Sequence, residues 1–149
     1  MTGWAYADRH PEADRSNHER IIRLFGQFVG VGFVGYFLLL LPGIIAFEPR
    51  AARWWTVLAV VSIFGSGLAL GIASRFADLR LVRAVGHVAP IAFLIAIATW
   101  PAAWDGSHVA PPEGVWIATF PGMGALAALV AWPLPAVAIY VVASCFGVQ

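Results

Sequence analysis

The stretch LFGQFVGVGFVGYFLLLLPGIIAF, residues 24 to 47, restricts the fold of this chain more than any other feature. Apart from Gln27 and Tyr36 it carries no polar side chain. As a helix it reaches about 36 Å at 1.5 Å per residue, enough to cross a ~30 Å hydrocarbon core with some tilt. Pro42 and Gly43 would break a helix in water. Near the end of a membrane span they only kink it, because neighbouring helices can satisfy the freed carbonyl. The run is too long for the core of a signal peptide, and IIAFEP lacks the small residue at minus three that cleavage needs, so the segment is read as retained.

The rest of the chain repeats the pattern. Trp54 to Ser74 and Ala84 to Trp104 are two further apolar runs, and Val115 to Gln149 is apolar throughout. WPLP at 132 to 135 divides that last stretch into segments 116–131 and 134–149, with a tight turn expected at the alternating prolines. Each of these two is shorter than the ~20 residues of an ordinary span. With 60% hydrophobic and 11% charged residues, against roughly 25% charged in a soluble domain, water is not the main solvent. The fold class expected is all-α: a polytopic membrane helix bundle of about five transmembrane helices, with spans near 24–47, 54–74, 84–104, 116–131 and 134–149. Residues 1–20, with four acids, three Arg and two His, read as a polar cytoplasmic tail ahead of the 21–149 bundle. Ser16 and Glu19 have capping-box spacing, which predicts a helix start near Asn17. The last run stops at Val148 and Gln149 without a basic anchor, so the expectation is a cut chain.

Orientation follows from the basic residues, which are retained on the cytoplasmic side. All nine are Arg, a composition that points to a GC-rich bacterial source. Arg9, Arg15, Arg20 and Arg23 precede the first span; Arg75, Arg80 and Arg83 fall in the RFADLR loop expected between the second and third. Only Arg50 and Arg53 lie on the other side, so the N-terminus is placed in the cytoplasm. Tryptophan prefers the headgroup level. Trp54, Trp55, Trp100, Trp104 and Trp116 all map to the outer interface of this topology, and Trp132 to an inner turn.

Few residues invite chemistry. Gly26 and Gly30 form one GxxxG pair, Gly67 and Gly71 another, and such pairs let helix backbones approach closely in lipid. Packing within the chain is the first reading and a homodimer the second. His87 lies about one turn inside the third span, and an intramembrane ionisable group is a functional suspect. No second histidine lies at its depth to complete a bis-His haem site, so a structural role is expected, with Gln27 of the first span as its polar contact. Ser66 has no mid-membrane histidine to act as its base. The loop DGSHVAPPEG carries Asp105, His108 and Glu113, candidates for outer-loop sensing, although spacing alone defines no metal site. No metal or cofactor is expected. HExxH, phosphate-loop and dinucleotide motifs are missing, Cys145 is the only cysteine, and no basic residue follows Arg83 to make a nucleic-acid face.

RLFGQFVGVGFVGYFLLLLPGI followed by ARWW, and later WIATFPGMGALAALVAWPLPAVAIY, resemble the N-terminal membrane region of actinobacterial sensor histidine kinases. The likeness covers residues 20 to 149 and rests on hydrophobic character and helix spacing. It implies a multi-pass plasma-membrane input region of a two-component system, non-catalytic in itself, whose partners are the bilayer and a downstream kinase module. The phosphoacceptor histidine and ATP-binding glycine boxes of that family would lie beyond Gln149, so it assigns no functional residue here. The alternatives are a small membrane anchor or subunit of a larger complex, associated with quinone or haem, and a small transporter.

Overall fold

The computed structural model describes residues 11–47, 51–106, 116–119 and 121–147. Among them are six α-helices and one short 3-10 turn, with no strand beyond an isolated bridge between Ala51 and Trp104. Helix α1 spans Pro11–Phe47, α2 Arg53–Phe76, α3 Leu79–Gly86 and α4 Val88–Ala103; the 3-10 turn Trp116–Thr119 leads into α5, Pro121–Ala128, and α6 is Leu134–Gly147.

Helix α1 is 37 residues long, about 55 Å, and begins six residues before the start expected at Asn17. Its opening, Pro-Glu-Ala-Asp, explains the difference. Proline suits the first helical position because its missing N–H would be unpaired there anyway. Ser16 and Glu19 therefore lie inside a helix that is already under way.

A second correction concerns RFADLR. The link between α2 and α3 is only Ala77 and Asp78, and Asp78 caps α3 by accepting the Leu81 N–H at 2.8 Å. Arg80 and Arg83 are exposed residues of a helix rather than of a loop. Helices α3 and α4 form one apolar span, Leu79–Ala103, interrupted only at His87. Pro90 accounts for the interruption: it has no N–H for the carbonyl of Gly86, and its ring crowds that carbonyl.

Three helical stretches, Arg15–Ala46, Arg53–Phe76 and Leu79–Ala103, are long and apolar enough to cross a membrane. Helices α5 and α6, at 8 and 14 residues, fall short of the ~20 a full span needs. The outward surfaces of α1 and α2 are what lipid would require: Phe28 is 67% exposed, Leu39 72% and Phe76 83%. Apolar exposure of that extent is an aggregation hazard in water and an ordinary contact surface in a bilayer.

The two ends differ sharply. Arg23 of α1 reaches Ala77 at the close of α2, so Arg15, Arg20, Arg23, Arg75, Arg80 and Arg83 share one end of the bundle. At the other end the Ala52 N–H donates to the Ala103 carbonyl at 2.8 Å, drawing the start of α2 to the end of α4. The tryptophan expectation needs revision there. Trp54 and Trp104 are exposed, but Trp55 and Trp116 are each only 2% exposed. Trp55 donates to the Thr99 hydroxyl at 3.1 Å and lies 5.0 Å from the Trp100 ring and 6.3 Å from Trp116. These two indoles form an inter-helix core instead of a headgroup belt, because Trp55 packs on Thr99 and Trp100 of α4 while Trp116 packs on Trp55 and Phe64 of α2.

Candidate functional site

Two places in the bundle gather the residues singled out above. The first is the antiparallel crossing of α1 and α2. A methyl group on Gly30 would stand 2.5 Å from the Gly71 Cα, and one on Gly26 2.1 Å from the Ser74 hydroxyl. One on Gly67 would meet the Phe33 ring at 2.1 Å. The register therefore runs Gly26 to Ser74, Gly30 to Gly71 and Phe33 to Gly67, and all four glycines of the two GxxxG pairs lie in one seam within the chain. Removing the side chains lets the backbones touch, and close packing is what holds helices together in lipid.

Below the seam, α1 caps α2. The last carbonyls of a helix have no partner inside it. Here Arg23 donates to the Ala77 carbonyl at 2.6 Å and, at 3.4 Å, to the Ser74 carbonyl, which also accepts from the Gln27 amide at 3.4 Å. The expected contact between Gln27 and His87 is not formed: the Gln27 amide donates to the Ser74 carbonyl at the end of α2, and His87 accepts from Trp132.

The second place is the break at His87. The indole N–H of Trp132 donates to His87 Nδ1, a bond that the tautomer carrying its proton on Nε2 can accept. Gly86 next to it leaves room for the α5–α6 turn: a Cβ there would meet Ala131 at 3.2 Å and Val130 at 3.4 Å. Tyr140 of α6 packs edge-on to Trp132 at 5.8 Å and lies 6.3 Å from Phe93. Its hydroxyl fills the space that Gly124 leaves open. Ser144, one turn further along α6, is wholly buried. The α5–α6 hairpin is therefore latched to the α3–α4 break by the gap at Gly86, aromatic contacts and one polar bond.

Ser66 is buried and donates to the Ile63 carbonyl at 2.8 Å, the back-bonding usual for serine in an apolar helix. Among the described residues no three of His, Cys, Asp or Glu come together as a metal site. Asp105 is an exposed residue just past α4, while His108 and Glu113 lie outside the described residues. Trp132, Tyr140, Ser144 and Arg23 went unrecognised as site residues from sequence. Tyr140 and Ser144, four residues apart in an otherwise apolar run, were the available signal.

Trp132→Phe tests the latch. It keeps a ring against Tyr140 and removes the donor. In the parent, 15N spectra of labelled histidine should show a single neutral tautomer at His87, and the variant a mixture. The stability cost should be small, about 0.6 kcal/mol, the average for a hydrogen bond between membrane helices.

No family model matches this chain, no curated protein matches it, and no solved structure matches it.

Proposed function

We propose that the chain is the input region of a two-component sensor histidine kinase, a multi-pass protein of the plasma membrane with its N-terminus in the cytoplasm. The reading is carried by the contrast between its two helix contacts. Helices α1 and α2 meet backbone to backbone through glycine. The α5–α6 hairpin instead meets α4 at a broken helix, through side chains and the Trp132 to His87 bond. A bundle with one rigid seam and one contact that can exchange is the arrangement through which a ligand or membrane state biases a two-state element. The helix break supplies the joint, since the α3–α4 ladder is already interrupted there. The resemblance to actinobacterial input regions favours a kinase as the element that reads the change.

Sidedness in this reading follows the positive-inside rule, with the Arg-rich end in the cytoplasm. Membrane-impermeant thiol labelling of intact cells tests it in a Cys145→Ser background, since Cys145 is exposed. A cysteine at Asp78 should react only after the cells are opened, and one at Ala110 should react from outside; the reverse pattern inverts the topology. The functional reading is tested by the coding sequence after codon 149. A dimerisation helix bearing a phosphoacceptor histidine supports a kinase input, whereas an immediate stop codon supports a membrane anchor.

A further inference from the structure

The α1–α2 seam has an outer edge that no side chain fills. Where the helices cross at Gly30 and Gly71, a furrow of ≈ 350 Å³ opens, walled by Val31, Val34, Leu68 and Ile72. It runs past Val34 and Leu68 into a second hollow of ≈ 360 Å³ against Phe33, Phe37 and Phe64. In the other direction it passes Gln27 and Arg75 into a polar recess of ≈ 360 Å³ lined by Arg20, Arg23, Arg75, Ser16 and Glu19. From Gln27 to Phe37 the trough is about 15 Å long at 1.5 Å per residue, half of a ~30 Å hydrocarbon core and so the depth of one leaflet.

We propose that this furrow holds one anionic phospholipid, an acyl chain lying over Gly30 and Gly71 and the phosphate seated between Arg20 and Arg75. The inference requires only that the helices lie in a bilayer, and it holds whatever the chain signals. Charge selects the occupant. Among the described residues, three guanidinium groups line the recess against the single carboxylate of Glu19, an excess of two positive charges. Arg23 spends its hydrogen bonds on the neutral carbonyls of Ser74 and Ala77, so its charge is not cancelled. Arg20 and Arg75 are exposed and free to turn towards a phosphate. A second copy of the chain packed in parallel on this face would set two such recesses side by side, and like-charge juxtaposition is costly. A headgroup without net charge would leave the excess unanswered.

Native mass spectrometry of the detergent-purified chain, mixed with dioleoyl phosphatidylglycerol or dioleoyl phosphatidylcholine, tests the proposal. One phosphatidylglycerol should be retained well above phosphatidylcholine. Each Arg near an anionic surface contributes about fivefold, so the double variant Arg20→Gln/Arg75→Gln should retain phosphatidylglycerol about 25-fold less well. Leu68→Trp, at a position 49% exposed on the furrow wall, should block the chain with every Arg in place. Arg80→Gln/Arg83→Gln removes equal charge from exposed positions on α3 that do not line the recess, and should change nothing. Equal retention of the two lipids overturns the proposal, as does an equal loss in the α3 control, which would mean general surface attraction. A two-chain mass abolished by Leu68→Trp would also overturn it, by assigning the furrow to a second copy.

Discussion

Gly30→Ala should destabilise the bundle by about 2 kcal/mol, while Gly35→Ala on the same helix should leave it unchanged or strengthen it. Alanine is better than glycine in a helix by about 1 kcal/mol, and that gain applies at both positions. The tertiary surroundings differ. A Cβ at Gly35 meets nothing within 4 Å, whereas at Gly30 it stands 2.5 Å from the Gly71 Cα and 2.9 Å from its nitrogen. Backbone atoms have no rotamer to move into, so α1 and α2 must separate along the whole register. Overpacking of this kind costs roughly 1–3 kcal/mol, and the upper end of the range applies because the propensity gain is overcome. Separation also draws Arg23 and Gln27 away from the Ser74 carbonyl. Unfolding of the two variants in rising sodium dodecyl sulfate, followed by tryptophan emission, gives the sign directly. A stabilising Gly30→Ala would mean that the two backbones do not touch.

Adjacent tryptophans provide the second large contrast. Trp55→Ala should cost about 3 kcal/mol, and Trp54→Ala less than about 0.5 kcal/mol. Trp55 is 2% exposed, bonded to Thr99 and packed against Trp100 and Trp116, whereas Trp54 is 58% exposed. The figure for Trp55 is at the low end for a buried tryptophan because lipid, unlike water, solvates the vacated surface; what is lost is packing. Trp55→Phe separates the contributions. It retains a ring in the cluster and removes the N–H to Thr99, a bond worth about 0.6 kcal/mol here. The same denaturant titration should place it between the other two, well nearer to the parent. Equal effects at Trp54 and Trp55 would show that both indoles serve as headgroup anchors.

These contrasts mark where sequence reasoning reached and where it stopped. Apolar runs of spanning length were legible because helix rise and bilayer thickness alone set that length. The glycine pairs were legible as a close-contact surface, though not which surface they would meet. The start of α1 was missed because the Ser16 and Glu19 spacing outweighed the Pro-Glu-Ala-Asp turn before it. Charge drew RFADLR towards a loop, although Asp78 is a helix cap and Arg80 and Arg83 sit one turn apart on the exposed side of α3. Gln27 and His87 were matched on depth, yet each met another partner, the Ser74 carbonyl and the Trp132 indole, and depth along the chain does not report which neighbour a side chain meets.

By itself the amino-acid sequence determined that this chain is helical, that its helices suit lipid, and that most guanidinium groups and most indoles lie at opposite ends of the apolar runs. Those properties depend on each segment's own composition and length, and the solvent acts on each segment separately. Only the tertiary structure decided that Gly30 rests on Gly71, that Trp55 is core while Trp54 is surface, and that Trp132 rather than Gln27 satisfies His87. In lipid no hydrophobic force distinguishes one apolar face from another, so which faces meet is settled by the fit of particular gaps to particular side chains on different helices.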